Sequence, residues 1–136
     1  MAATQPIRSK KQLRKLADFF ISRGELRNYA LIVVCAHTAL RISDVLSLRW
    51  NDIYDFERNR IRDSITLTEL KTGKSKSLKL HRNAAKALLI YMSSKKSDRN
   101  SFIFISRKGK NNAISRVQAY RIIRAAAEAI DRKSVV

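Results

Sequence analysis

Apolar residues recur at helical spacing early in the chain, at Leu13, Leu16, Ala17 and Phe20, and mark one face of an amphipathic helix. Ser9 and Gln12 form a capping-box pair ahead of it, and Gly24 follows its expected end. Tyr29 to Ala36 is apolar nearly all round, which predicts a central helix from about Asn28 to Thr38. Ser43 is placed to cap a short helix, with Asp44 in its first turn and Val45, Leu46 and Leu48 turned to the core. Asn51 to Asp55 reads as a turn. The period then changes: Ile61, Ile65 and Leu67 alternate with polar residues from Arg60 to Glu69, as in a strand. Lys71-Thr72-Gly73-Lys74 makes a tight turn, and Ser77 to His81 the return strand. Asn83 caps a further helix through Met92, with Ala84, Ala87, Leu88 and Tyr91 buried. Phe102 to Ile105 is a short strand or extended packing piece between two basic loops. Ser115 caps the last helix, with Val117, Tyr120, Ile123, Ala127 and Ile130 on one face. The expected class is α+β, mainly helical with a small antiparallel β-sheet, in one domain over residues 1–136.

Composition narrows the function. The chain carries 29 Lys and Arg against 11 Asp and Glu, a net charge of +18, which calls for a polyanionic partner. The basic residues are spread over several elements and not along one amphipathic helix, so nucleic acid is favoured over a membrane surface. No apolar run reaches membrane-spanning length, and Met1 to Lys10 lacks the apolar core of a signal peptide. The expected location is the cytoplasm, in association with the nucleoid. Cys35 lies in the apolar helix and reads as core. His37 and His81 have no Cys or carboxylate at ligand spacing, so no metal and no cofactor is assigned.

Two residues stand out chemically. Arg41 sits at the turn that ends the apolar helix, flanked by Leu40 and Ile42. A guanidinium among apolar neighbours is expected to meet an anion, because burying it alone costs several kcal/mol. Lys71 opens the glycine turn of a hairpin that also holds Lys74, Lys76 and Lys79. Cleaving a phosphodiester without a metal needs a nucleophile, cationic donors on the nonbridging oxygens and an acid for the leaving alkoxide. Arginine suits the second role through its planar fork, and a lysine on a mobile hairpin suits the third.

The run Thr38-Ala39-Leu40-Arg41-Ile42-Ser43-Asp44-Val45, followed by Leu48-Arg49-Trp50, resembles the first arginine box of the tyrosine recombinase (phage integrase) family. Ala39 stands where glycine is usual, and Asp44 replaces glutamate. Lys71-Thr72-Gly73 is similar in context and order to the family's catalytic hairpin lysine. The resemblance implies the N-terminal two-thirds of a catalytic domain with a DNA breaking-rejoining fold, acting in site-specific recombination and DNA integration. It implies catalytic roles for Arg41 and Lys71, with Asp44 as a support. Double-stranded DNA is the implied partner, with room for a homo-oligomer on DNA, no membrane and no small-molecule substrate. Lys74, Lys76, Lys79, Arg107, Lys108 and Lys110 are the expected DNA contacts. The family's next features, a His-x-x-Arg box and a late nucleophilic tyrosine, have no match in this sequence, and its separate N-terminal DNA-clamping domain is not expected here. The chain alone is therefore expected to be inactive. Tyr120 reads as a core or interface residue. Two alternatives use the same charge: a non-enzymatic winged-helix-like DNA-binding module and a basic RNA- or ribosome-associated protein. No polar reading helix is evident, so binding is expected to be salt-sensitive and mostly sequence-independent.

Overall fold

A computed structural model describes residues 10–95, 97–107 and 111–135. The chain runs α1 (Lys10–Ser22), α2 (Leu26–Ala36), α3 (Ile42–Leu46), α4 (Trp50–Ile53), β1 (Tyr54–Asp55), β2 (Arg60–Ile61), β3 (Ser64–Thr68), β4 (Ser75–Lys79), α5 (Arg82–Ser93) and α6 (Arg116–Val135). Helix α2 is the axis: Ala30, Leu31, Ile32 and Val34 are fully buried, and α1 and α5 pack against it. It starts at Leu26, ahead of the expected Asn28, because buried Asn28 bonds back to Glu25 Oε1 at 3.0 Å and needs no capping role.

The main core joins α2, α5 and the middle of the chain around Trp50, Ile53, Ile65, Leu88, Ile103 and Phe104. A second cluster, of Leu16, Phe20, Ile32, Ile123 and Ala126, fastens α1 and α6 to the other side of α2. The expected α+β architecture is present, but the single strand expected over Arg60 to Glu69 is two. Arg62 donates its backbone N–H to Ile53 O at 2.8 Å, and Asp63 O accepts from Leu80 N–H at 2.9 Å. The chain thus changes partner between β2, which pairs antiparallel with β1, and β3, which pairs antiparallel with β4. Asn51 to Asp55, expected as a turn, holds α4 and β1 instead, with Asp52 Oδ2 accepting the Arg49 N–H at 2.8 Å.

The caps differ in part from expectation. His81, not Asn83, caps α5: its Nδ1 accepts the Asn83 backbone N–H at 3.0 Å. Histidine is outside the usual capping residues, so composition hides this one. Ser115 caps α6 as expected, accepting the Gln118 N–H at 3.0 Å, while Ser9 lies outside the described residues. The Phe102 to Ile105 segment is an extended packing piece: Ile103 N–H donates to Leu48 O, Phe104 O accepts from Ile114 N–H, and the segment is bridged at Arg49 and Ala113.

Tyr91 ties this segment to α5: its hydroxyl donates to Ile103 O at 2.9 Å, and its ring lies 5.5 Å from Trp50. Burial pushes the hydroxyl up to about 12. The folded chain holds that proton more tightly than the unfolded one, so the contribution is intact below the unfolded tyrosine value and lost as pH rises from about 10 towards 12. In urea titrations the wild-type midpoint should fall more steeply across that window than that of Tyr91→Phe. At neutral pH, Tyr91→Phe should be less stable by about 1–2 kcal/mol, because Ile103 O loses its donor.

Candidate functional site

Helix α2 closes at His37, and Thr38 Oγ1 donates back to Val34 O at 3.0 Å. The backbone then turns through Leu40, half-buried against the core, into Arg41. Arg41 is the N-cap of α3, in extended conformation at φ −69° and ψ 150°. Because α3 begins at Ile42, Ser43 falls inside the helix and makes no cap, contrary to expectation. The Arg41 side chain is exposed and has no hydrogen bond or ion pair among the described residues. Its flanking Leu40 and Ile42 anchor the corner, so the arginine is held by its neighbours rather than buried with them. A guanidinium fork of five donors is left facing outwards.

Asp44, one helical turn on, is 1% exposed. Its Oδ1 accepts the backbone N–H of Leu70 at 3.0 Å, across 26 residues of sequence, and its Oδ2 has no partner. Burying a carboxylate is expensive; this one is offset by the Leu70 bond and by its place in the first turn of α3. The bond sets the arginine corner against the β3–β4 hairpin. Arg41 precedes one end of it by three residues, and Lys71 directly follows the other.

The hairpin turn is internally fixed. Glu69 N–H donates to Lys74 O and Gly73 N–H to Glu69 O, both at 2.9 Å. The Thr72 hydroxyl donates to Glu69 Oε1 and accepts from Lys74 N–H, each at 3.2 Å. Gly73 has φ +72°, which costs a side-chain-bearing residue roughly 1 kcal/mol. Lys71 and Lys74 are both exposed.

Among the described residues, the other expected DNA-binding side chains lie on different surfaces. In the β3–β4 register Lys76 pairs with Leu67 and shares the half-buried face with Leu78 and Ile65, whereas Lys79 pairs with Ser64 on the outer face. Arg107 is exposed and interacts electrostatically with Glu25 and Arg27 at the start of α2, about 16 Å of helix away from the arginine corner. Lys108 and Lys110 lie outside the described residues.

Helix α6 keeps most of the expected face, with Ile123 buried, Ala127 and Ile130 packed on the second cluster and Tyr120 half-buried, but its start is turned outwards. Val117, expected in the core, is 56% exposed, and the buried stripe is Ala119, Ile123 and Ala126. Small alanines carry little hydrophobic signal, so periodicity alone sets the face too close to Val117. Arg116, Gln118, Arg121 and Arg124 are exposed with it. A cleft of about 270 Å³ between α3 and the start of α6 is lined by Ser43, Leu46, Ser47, Phe102 and Arg116, among others. Of the tyrosines, Tyr91 is bonded in the core, Tyr29 packs on the α1–α6 cluster, Tyr54 meets Phe56 edge to face, and Tyr120 is half-buried on α6.

The fold is shared with a solved structure: a crystal structure of XerA recombinase matches 93% of this chain and 43% of its own, with a TM-score of 0.68 and 20% identity. Residues 8–135 match the phage integrase family, and the chain belongs to it. It is 33% identical over 129 residues to the probable integrase/recombinase YoeC of Bacillus subtilis, covering 95% of this chain and 66% of that protein. To the type 1 fimbriae regulatory protein FimE of Escherichia coli K12 it is 36% identical over 102 residues, covering 72% of this chain and 48% of that protein. The chain thus spans between about half and two-thirds of these relatives.

Asp44→Ala should free the Leu70 amide. Its hydrogen exchange should speed up by about tenfold or more, while the exchange of the α2 core amides changes far less. Equal acceleration everywhere would mean that Asp44 supports the whole fold and not the corner–hairpin junction.

Proposed function

We propose that this chain is the phosphate-gripping part of a tyrosine recombinase catalytic domain, which works on duplex DNA in site-specific recombination. The observation that carries this reading is the Asp44–Leu70 bond, which links Arg41 and Lys71 through one buried carboxylate. Arg41 would hold two nonbridging oxygens of the scissile phosphate and stabilise the charge that builds on them. Lys71 would give its proton to the leaving 5′-oxygen, the role a hairpin lysine fills by reaching over a bound strand. A tyrosine nucleophile leaves a 3′-phosphotyrosyl link and a 5′-hydroxyl, and the reverse attack rejoins the strands. No step in that scheme calls for a metal or cofactor. In a bacterial cell the workplace is the nucleoid, with a homo-oligomer assembled on DNA.

The exposed start of α6 changes the expectation of sequence-independent binding. Arginine and glutamine can pair with guanine and adenine edges, and a valine can meet a thymine methyl. With Arg116, Val117, Gln118 and Arg121 at the first turns of a long helix, α6 is suited to the major groove. This also favours DNA over the RNA alternative, because the deep, narrow major groove of an RNA duplex does not admit a helix. The short α3–α4 region, buried through Val45, Leu46, Leu48 and Trp50, gives the winged-helix alternative no reading helix.

Two measurements test the reading. Affinity for duplex DNA should fall steeply with salt. Replacing Lys74 and Lys79 together by Ala should reduce the slope by about 0.9 for each phosphate left without its lysine, alike on all sequences. Changing Arg116, Gln118 and Arg121 to Ala should instead erase differences between sequences. A salt-independent affinity would refute the electrostatic reading. On a nicked suicide duplex the chain alone should form no covalent adduct, since none of its four tyrosines lies in a matching motif. A covalent band abolished by Tyr120→Phe would overturn that expectation.

A further inference from the structure

Leu70 is the most exposed large hydrophobic side chain among the described residues, at 66%. A lone surface leucine ordinarily needs no explanation. This one is distinguished by its backbone. Its N–H is held by the Asp44 carboxylate, and the turn around it is closed by the Glu69, Thr72, Gly73 and Lys74 bonds. The residue is therefore fixed in place with its side chain outward, directly before Lys71 and next to the arginine corner. An outward leucine there is the one large apolar group in a turn otherwise made of polar residues and glycine.

We infer that Leu70 is an apolar wedge for the minor groove of duplex DNA, a positioning residue that seats the strand on which Arg41 and Lys71 act. The inference rests on the duplex-DNA reading above. Cations at the site can grip phosphates but cannot fix how deep the hairpin enters a groove. An apolar side chain inserted at a base step does so, by partly unstacking it and binding the exposed sugar and base faces. Flexible pyrimidine–purine steps open most easily, so they are the preferred seats. The fixed turn limits the ordering cost, since the leucine is presented before DNA arrives.

The test uses the full chain and a short duplex with aminopurine placed at several TA steps, titrated at a series of salt concentrations. Wild type should bind and raise the aminopurine fluorescence. Leu70→Ser should bind about tenfold more weakly with an unchanged salt slope, and should lose the fluorescence rise. Leu70→Met, which keeps an apolar reach, should restore both. If wild type binds and Leu70→Ser stays within twofold of it, or still unstacks the aminopurine, the wedge is wrong while the DNA reading stands. If wild type itself shows no salt-dependent binding, the DNA reading fails and the wedge with it.

Discussion

The structure turns on a buried carboxylate with one hydrogen bond. Asp44 is sunk at the junction of α3 and the hairpin, with one oxygen bonded to Leu70 N–H and the other unpaired. A core residue of similar size would hold α3 at lower desolvation cost. What it could not do is accept a backbone N–H from a turn 26 residues away. The chain thus keeps a polar group in its interior and obtains in return a backbone tie that fixes the hairpin turn. Strands β3 and β4 form a two-stranded ribbon, which is marginal by itself, and Ile65 is the only buried residue within the two strands.

This arrangement explains why the fold was legible in the sequence and the junction was not. Apolar periodicity marked α1, α2, α5 and α6 because each buries an apolar stripe. The first arginine box and the Lys71-Thr72-Gly73 turn were visible as residues in a run. The pairing of Asp44 with Leu70 N–H was not, since a bond to a backbone amide leaves no trace in the identity of the donor. The same holds for the break between β2 and β3, which is made by backbone bonds of Arg62 and Asp63. Errors of face arose where the buried side chains are small. Ala119 and Ala126 define the inner side of α6, and a pattern that counts large apolar residues turns the helix towards Val117.

Charge was the strongest signal for a partner and the weakest for geometry. Among the described residues the ion pairs are Arg23–Glu25, Arg58–Asp55 and Arg60–Asp63, all between near neighbours in sequence. Such exposed pairs contribute little. The remaining cations are spread over several surfaces. Lys76 lies along the inner face of its strand, where its stem can cover Leu67 and Leu78. Arg27, half-buried, donates to Ile105 O at 3.0 Å, and burial lowers its proton affinity. A count of lysines and arginines therefore overstates how many can meet one strand of DNA.

The useful division is between groups that supply attraction and groups that supply position. Phosphate contacts from mobile lysines draw a duplex in from any direction and carry no register. Register must come from parts that cannot move: the arginine corner seated on α2, the hairpin turn locked by Asp44, and helix α6, whose inner side packs on the α1 cluster. On the reading proposed above, these fixed parts would align a duplex, with charge speeding its arrival. In that view the core is what aligns the phosphate. Substitutions far from Arg41 that loosen α2 or α6 should affect alignment before they affect attraction, because effective catalysis by positioned groups is lost with displacements of about an ångström.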